Sequence, residues 1–256
     1  MRPDEDDLAF FRANGYLLLK GVLSTEEAAA LRAEGEQIIK RLAASHSVEA
    51  TWSSAGQVAG ATATTLQHCH DVQFQSGLFN RYLADPRLID PVAALINTPN
   101  VQLHHNKLFI KPPSNGSPFP MHQDWPFFPH ANDSTLAAIV HLDDAPLDRG
   151  CVRVIPGSHL DGRIDHLGST DWYLPTDRYV LDDAIALPAE PGDVLYFSCL
   201  TVHGSGTNVS DQPRTTWLLQ LRDPQDRPTV DRHRSPGQGT MLRGTNTGDA
   251  PPPTTL

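Results

Sequence analysis

Cysteine and lysine are scarce in this sequence. Three cysteines, Cys69, Cys151 and Cys199, are scattered through 256 residues with no Cys-x-x-Cys pair. An odd, unspaced set excludes a disulfide framework and a zinc ribbon. Lysine occurs only at Lys20, Lys40, Lys107 and Lys111, and the rest of the 20 basic residues are arginine. Anion recognition is therefore to be sought in single planar guanidinium contacts. The formal net charge is −10 and there is no basic block, which argues against nucleic acid or an anionic membrane as partner. The longest apolar runs, such as Leu136–Val140, fall far short of a membrane span. There is no Gly-x-Gly-x-x-Gly after a strand, no phosphate-loop lysine and no Gly-x-Ser-x-Gly elbow. Dinucleotide, nucleoside-triphosphate and α/β-hydrolase chemistry lose their usual signatures. The opening MRPDEDDLAF is acidic where an export signal would be basic, and the closing PPPTTL is not a peroxisomal address. A reducing, cytoplasmic setting is expected. The oligomeric state is not readable.

What is present is an apolar fraction of 39%, enough for a sizeable core, and 12 histidines. Residues 4–13 read as a short helix stopped at Gly15, and Tyr16–Lys20 as a strand. Ser24-Thr25-Glu26-Glu27 is a capping box. The helix after it carries Ala28, Leu31, Gly35, Ile38 and Leu42 at spacings of three and four, the stripe of a helix lying on a sheet. Residues 44–66 read as loop. Leu78–Ile96 reads as helical, with Pro86 at an early turn or a break. Beyond residue 100 the pattern becomes that of strands: Val101–Lys111, Leu136–Leu142, Val152–Ile155, Asp193–Cys199 and Arg214–Arg222, separated by Pro, Gly, Asp and Asn. A few helices followed by many short strands predict an α+β fold. Its expected form is a two-sheet barrel or jelly roll with helices packed on one sheet. Nothing marks a linker, so residues 1–256 are expected to form one domain with a loose tail from about 244.

His-x-Asp occurs three times, as His122-Gln123-Asp124, His141-Leu142-Asp143 and His159-Leu160-Asp161. Residues i and i+2 of a strand face the same side, so such a pair can offer an imidazole and a carboxylate to one ion. A second histidine from a distant strand would complete the two-His-one-carboxylate face that leaves positions open on Fe(II). Context separates the copies. His122 and Asp124 sit between Pro118-Phe119-Pro120-Met121 and Trp125-Pro126-Phe127-Phe128, a polar pair inside an aromatic wall. His141 and Asp143 precede Asp144-Ala145-Pro146 and read as a solvated turn. His159 follows Pro156-Gly157-Ser158 and reads as a turn residue. Downstream, His203-Gly204-Ser205-Gly206 offers a third ligand, although His203 taken alone reads first as a capping or hydrogen-bonded loop histidine. Arg214 then opens an otherwise apolar strand, where a cation needs an anion. A bidentate carboxylate matches its planar fork.

Taken together, these segments resemble the phytanoyl-CoA dioxygenase family of Fe(II)/2-oxoglutarate oxygenases. The resemblance runs through Lys111-Pro112-Pro113, His122-Gln123-Asp124 with Phe127-Phe128-Pro129, and Gly150-Cys151-Val152-Arg153-Val154-Ile155-Pro156-Gly157-Ser158-His159. It continues in Pro191-Gly192-Asp193 and in His203-Gly204-Ser205-Gly206 with Arg214. It implies a double-stranded β-helix core with iron on His122, Asp124 and His203. It implies that Arg214 and Ser205 hold the distal carboxylate of 2-oxoglutarate, and that O2 is the second cosubstrate. By position, Lys107 and more loosely His68 match places where the family contacts the cosubstrate. Ile139 falls where some relatives carry tryptophan. Related halogenases lack the ligand carboxylate, so the presence of Asp124 disfavours halogenation.

The expected reaction is hydroxylation, or a related C–H oxidation, of a small organic metabolite with release of succinate and CO2. Desaturation, epimerisation and ring closure use the same iron site. Trp125, Phe127 and His105 are the candidate substrate-lining residues. Arg222, Arg227, Arg232, Arg234 and Arg243 read either as a groove for the phosphates of a CoA thioester or as a solvated segment offset by Asp223, Asp226 and Asp231. A jelly-roll metal enzyme working without 2-oxoglutarate is the rival reading, and it leaves Arg214 without a purpose.

Overall fold

The structure, a computed structural model, describes residues 2–44, 49–50, 53–58, 64–169, 172–231 and 234–248. Asp4 caps helix α1 (Glu5–Asn14) through a reciprocal bond with Asp7, and Gly15 ends it in the left-handed conformation. Strand β1 (Tyr16–Leu19) follows. Helix α2 (Thr25–Ala43) starts at the predicted box, with Ser24 and Glu27 exchanging hydrogen bonds. Its buried stripe is Ala28, Leu31, Gly35, Ile38 and Ile39. A Cβ at Gly35 would lie 2.9 Å from Leu108 Cδ2, so glycine there permits a close approach of helix and sheet. Within the segment read as loop are strand β2 (Glu49–Ala50) and a 3-10 turn at Ser53–Gln57, and β3 (Leu66–His70) begins at its end. Residues 45–48, 51–52 and 59–63 lie outside the described residues. The helical stretch near 78–96 is two helices, α3 (Gly77–Leu83) and α4 (Pro86–Leu95). The break falls at Pro86, the first residue of α4, where a missing N–H costs nothing, with Asp85 as its cap.

The remaining strands are β4 (Val101–Lys111), β5 (Phe119–His122), β6 (Leu136–His141), β7 (Val152–Val154), β8 (Ile185–Leu187), β9 (Val194–Ser198), β10 (His203–Ser205), β11 (Arg214–Arg222) and β12 (Met241–Arg243). They form two antiparallel sheets. The larger runs β1-β9-β6-β11-β4-β3-β2, with β12 also on β4, and the smaller runs β5-β10-β7-β8. This is the predicted jelly roll. Alternation along the large sheet sorts its side chains by period two. Leu103, Leu108, Val140, Tyr196, Trp217, Leu219 and Leu221 join Leu31, Phe79 and Leu88 in the core beneath the helices. Trp217 packs edge-on against Phe79 at 5.1 Å. The opposite face, with Ile139, Leu195, Phe197 and Leu218, meets Val152 and Val154 of the small sheet. Polar residues interrupt this second face.

One irregularity places the polar side chains. On β4, Gln220 pairs with His105 and Leu221 with Leu103, so His104 is an extra residue in the ladder. Such a bulge resets the alternation. Leu103 joins the core under the helices while His105 lines the interior between the sheets.

Candidate metal and cosubstrate site

His203 on β10 stands directly opposite His122 on β5. Each ring is oriented from behind. Nδ1–H of His122 donates to Pro120 O at 2.7 Å, and Nδ1–H of His203 to Thr201 O at 3.0 Å. With Nδ1 protonated, each Nε2 keeps its lone pair, the tautomer a metal requires. Asp124 Oδ1 lies 3.8 Å from both Nε2 atoms. The three potential ligand atoms all lie within 4.8 Å of one another.

The route by which Asp124 arrives differs from the expected one. Strand β5 ends at His122, so simple alternation does not carry the carboxylate inward. Instead Gln123 is fully buried, and its amide donates to Gly162 O and Leu200 O while accepting from Ile164 N. His166 Nε2 accepts the Gln123 N–H at 2.8 Å. The backbone then turns, Asp124 N–H donating to Cys199 O. Gln220 Nε2 donates to Asp124 Oδ2 at 2.7 Å, which leaves Oδ1 for the two histidines.

Burial pushes the Asp124 carboxyl up and His122 well down, so the apolar walls resist charge on both. A dication would reverse that preference for the carboxylate while accepting neutral imidazoles. Two neutral nitrogen donors, one carboxylate and open space on the remaining side make the donor set of an Fe(II) centre.

The triad opens into a cavity of about 600 Å³ between the sheets. Arg214 and Ser205 line it, as do Lys107, His105, Phe127 and Ile139. Arg214 is buried, and among the described residues no carboxylate meets it. One terminal nitrogen donates to Gly150 O and its Nε has no partner. Burial pulls its pKa down to about 10. Gly150 holds a positive φ of 65°, and a Cβ there would stand 2.2 Å from Gly206 O. The carbonyl facing Arg214 is thus set by a residue that only glycine can be.

Two expected contacts are corrected. Trp125 is outside the cavity lining: its indole N–H donates to Gln123 Oε1 at 2.9 Å and Arg163 stacks over its ring. The turn that brings Asp124 inward carries the next side chain away. The aromatic wall is Phe127, Phe128, Phe109 and Phe119. His68 is likewise outside the lining, whereas His70, two residues along the same strand face, is part of it. Burial, with the charge of nearby Lys107 added to it, holds the His68 pKa down to about 4. The second His-x-Asp pair is not solvated either. His141 and Asp143 are both buried, and Asp143 accepts from Thr215 N at 2.9 Å and pairs with Arg32. His159 is in a 3-10 turn, as expected, with its ring on Arg12 O of α1.

Three described arginines of the arginine-rich stretch go to different partners, and of these Arg234 also lines the cavity. Arg222 is buried on Gln102 and Asp226 O, Arg234 pairs with Asp231, and Arg243 with Asp90. Arg232 lies outside the described residues. Residues missed in the sequence include Gln220, Phe128 and His70. Gln220 was recoverable, since it shares the period-two face of Arg214, Thr216 and Leu218.

The sequence profile of phytanoyl-CoA dioxygenase (PhyH) matches residues 11–216. A probable alpha-ketoglutarate-dependent hypophosphite dioxygenase of Stutzerimonas stutzeri is 28% identical over 213 residues, covering 80% of this chain and 73% of that protein. The peroxisomal phytanoyl-CoA dioxygenase of Rattus norvegicus is 30% identical over 78% of this chain and 62% of its own length. Among solved structures, the epimerase SnoN in complex with Fe3+, alpha ketoglutarate and nogalamycin RO superposes with a TM-score of 0.72 at 26% identity, covering 93% of this chain and 98% of SnoN. EctD from S. alaskensis with bound Fe, at 23% identity and TM-score 0.73 over 96% of this chain and 88% of EctD, shares the fold. Profile, relatives and buried two-His-one-carboxylate cluster agree: the chain belongs to the phytanoyl-CoA dioxygenase family and is an iron- and 2-oxoglutarate-dependent dioxygenase.

Proposed function

We propose that this protein oxidises a C–H bond of a small organic metabolite, by default hydroxylating it, in a biosynthetic rather than a degradative step. His122, Asp124 and His203 hold Fe(II), and Arg214 with Ser205 holds the distal carboxylate of 2-oxoglutarate. The observation that carries this reading is Arg214, a buried cation without a carboxylate partner among the described residues, in the same cavity as the triad. A guanidinium so placed is expensive unless a ligand supplies the charge.

Iron with 2-oxoglutarate and O2 supplies the oxidising power, and the cosubstrate leaves as succinate and CO2. The chain's own part is positional. Pro120 and Thr201 carbonyls keep both histidines in one tautomer, and Gln220 keeps one Asp124 oxygen turned inward. Lys107 lines the cavity between the level of Arg214 and that of Gln220 along β4 and β11, and is suited to the negative charge of the bound oxo acid. Phe127 and Phe128 exclude water and give the substrate an apolar wall, while His70 and His105 offer it hydrogen bonds. The cavity suits a medium-sized organic molecule. Three buried free thiols are compatible with the reducing, cytoplasmic setting we infer.

A substrate screen read by succinate release tests this reading. Oxidised product and succinate should form one for one, with O2 consumed. Product formed in the absence of 2-oxoglutarate would favour the rival jelly-roll metal enzyme.

A further inference from the structure

The end of the cavity at Arg214 has a second cation behind it. Lys111 is fully buried and stands directly across the β4–β11 ladder from Arg214. Its ammonium donates to Ser205 Oγ at 2.7 Å and to Gly206 O at 2.6 Å. Two neighbouring cations are thus removed from water, and among the described residues no carboxylate pairs with either. Such an arrangement is costly without an anion. The two cations are joined through paired glycines, since Arg214 rests on Gly150 O, which leads to the close approach of Gly150 and Gly206, and Lys111 rests on Gly206 O.

The chemistry of the donors gives this arrangement a direction. Burial and the neighbouring Arg214 charge pull the Lys111 pKa well below the usual ammonium range, and a carboxylate received beside it favours the charged form. That ammonium has three donors and no acceptor. It takes a lone pair of Ser205 Oγ, so the Ser205 proton cannot be given back to it. The hydroxyl has no other partner among the described residues, and Ser205 lines the cavity beside Arg214. Lys111 itself is not part of the lining. We propose that Lys111 is a positioning residue for 2-oxoglutarate: it makes Ser205 an obligate donor toward the distal carboxylate that Arg214 receives, without touching the cosubstrate itself. This rests on the cosubstrate reading given above and assigns that subsite a member which alignment with the cavity wall would not find.

The test is calorimetric titration of the Mn(II)-loaded protein, without turnover, using two ligands. One is 2-oxoglutarate. The other is 2-oxopentanoate, which has the same chain without the distal carboxylate. Lys111→Met should weaken 2-oxoglutarate about tenfold, the scale of one charge-assisted hydrogen bond, and leave 2-oxopentanoate unchanged. Ser205→Ala should do the same, and the double variant should be no weaker than the weaker single variant. Equal losses for both ligands, no loss for either, or additive losses in the double variant would overturn the proposal. If Lys111→Met fails to fold by circular dichroism, Lys111→Gln replaces it with the same expectation, because a glutamine oxygen can accept the Ser205 proton and turn it inward no longer. Arg214→Met is the control for the underlying reading. Unchanged 2-oxoglutarate affinity there would reject the cosubstrate site itself, whereas a loss there with none in Lys111→Met rejects only the role of Lys111.

Discussion

His122-Gln123-Asp124 and His141-Leu142-Asp143 have the same spacing, and each begins at the last residue of a strand, one in the small sheet and one in the large. The first meets His203 across a strand pair and turns its carboxylate back onto both imidazoles. The second is pulled apart. His141 is buried beside Asp193 O, its Nε2 without a partner, and the Arg214 charge adds to burial in bringing its pKa down to about 4. Asp143 faces the other way, onto Thr215 N and Arg32. The pair that binds differs from the pair that merely packs in how the chain is held just past the strand. A buried amide, Gln123, ties the first turn to two distant loops, and Gln220 then aims the carboxylate. Spacing alone does not make a ligand pair; the residue between them and the partner behind them do.

The two pairs should part most sharply in metal binding. Asp124→Ala should lose Fe(II) retention and all turnover, while Asp143→Ala keeps stoichiometric iron, measured by metal analysis after desalting. Equal iron content in the two variants would erase the distinction. Next, Arg214→Met should raise the KM for 2-oxoglutarate about 10–100-fold, the range for a lost charged hydrogen-bond pair, with iron still bound. Gln220→Leu should weaken iron about 10–100-fold, the usual effect of removing a group that orients a ligand. Direct metal titration checks it, and wild-type affinity would mean that Asp124 needs no aiming. Asp143→Ala should instead cost about 1–3 kcal/mol of stability, from a buried N–H left unpaired, read by urea unfolding.

The smallest effect is expected at the start of helix α2. Glu27 accepts from Arg87, Tyr82 and Ser24 N, and these hold its pKa down to about 2. Because that value is below the ordinary one, its contribution is present above about pH 4.5 and fades as the pH falls toward 2. Glu27→Gln should destabilise by about 1 kcal/mol at pH 7, and the gap from wild type should close on acidification through that window. A gap that widens instead would reverse the sign assigned to this network.

Much of the architecture was legible because it repeats. The capping box at Ser24, the stripe on α2 and the period-two runs of β4, β6, β9 and β11 are local signals, and the structure reproduces them within a residue or two at most ends. The short strands were not legible. His203–Ser205 has no apolar alternation, and β3 and β8 take their identity from neighbours rather than composition. At the site, the triad and Arg214 were readable because motif order singled them out. His68 and Trp125 were misplaced because strand ends and turns decide direction, and a turn one residue after Asp124 sends Trp125 outward. In the sequence Lys111 stands out only as part of the Lys111-Pro112-Pro113 motif. Its role depends on a contact 94 residues away in the chain, to Ser205, and no local pattern encodes that.

Anaerobic absorption titration with Fe(II) and 2-oxoglutarate tests the central assignment most directly. A weak visible charge-transfer band should saturate at one equivalent of each in the wild type and in Asp143→Ala, and be absent in Asp124→Ala. No band with the intact folded protein, or an undiminished one in Asp124→Ala, would contradict the placement of iron on His122, Asp124 and His203.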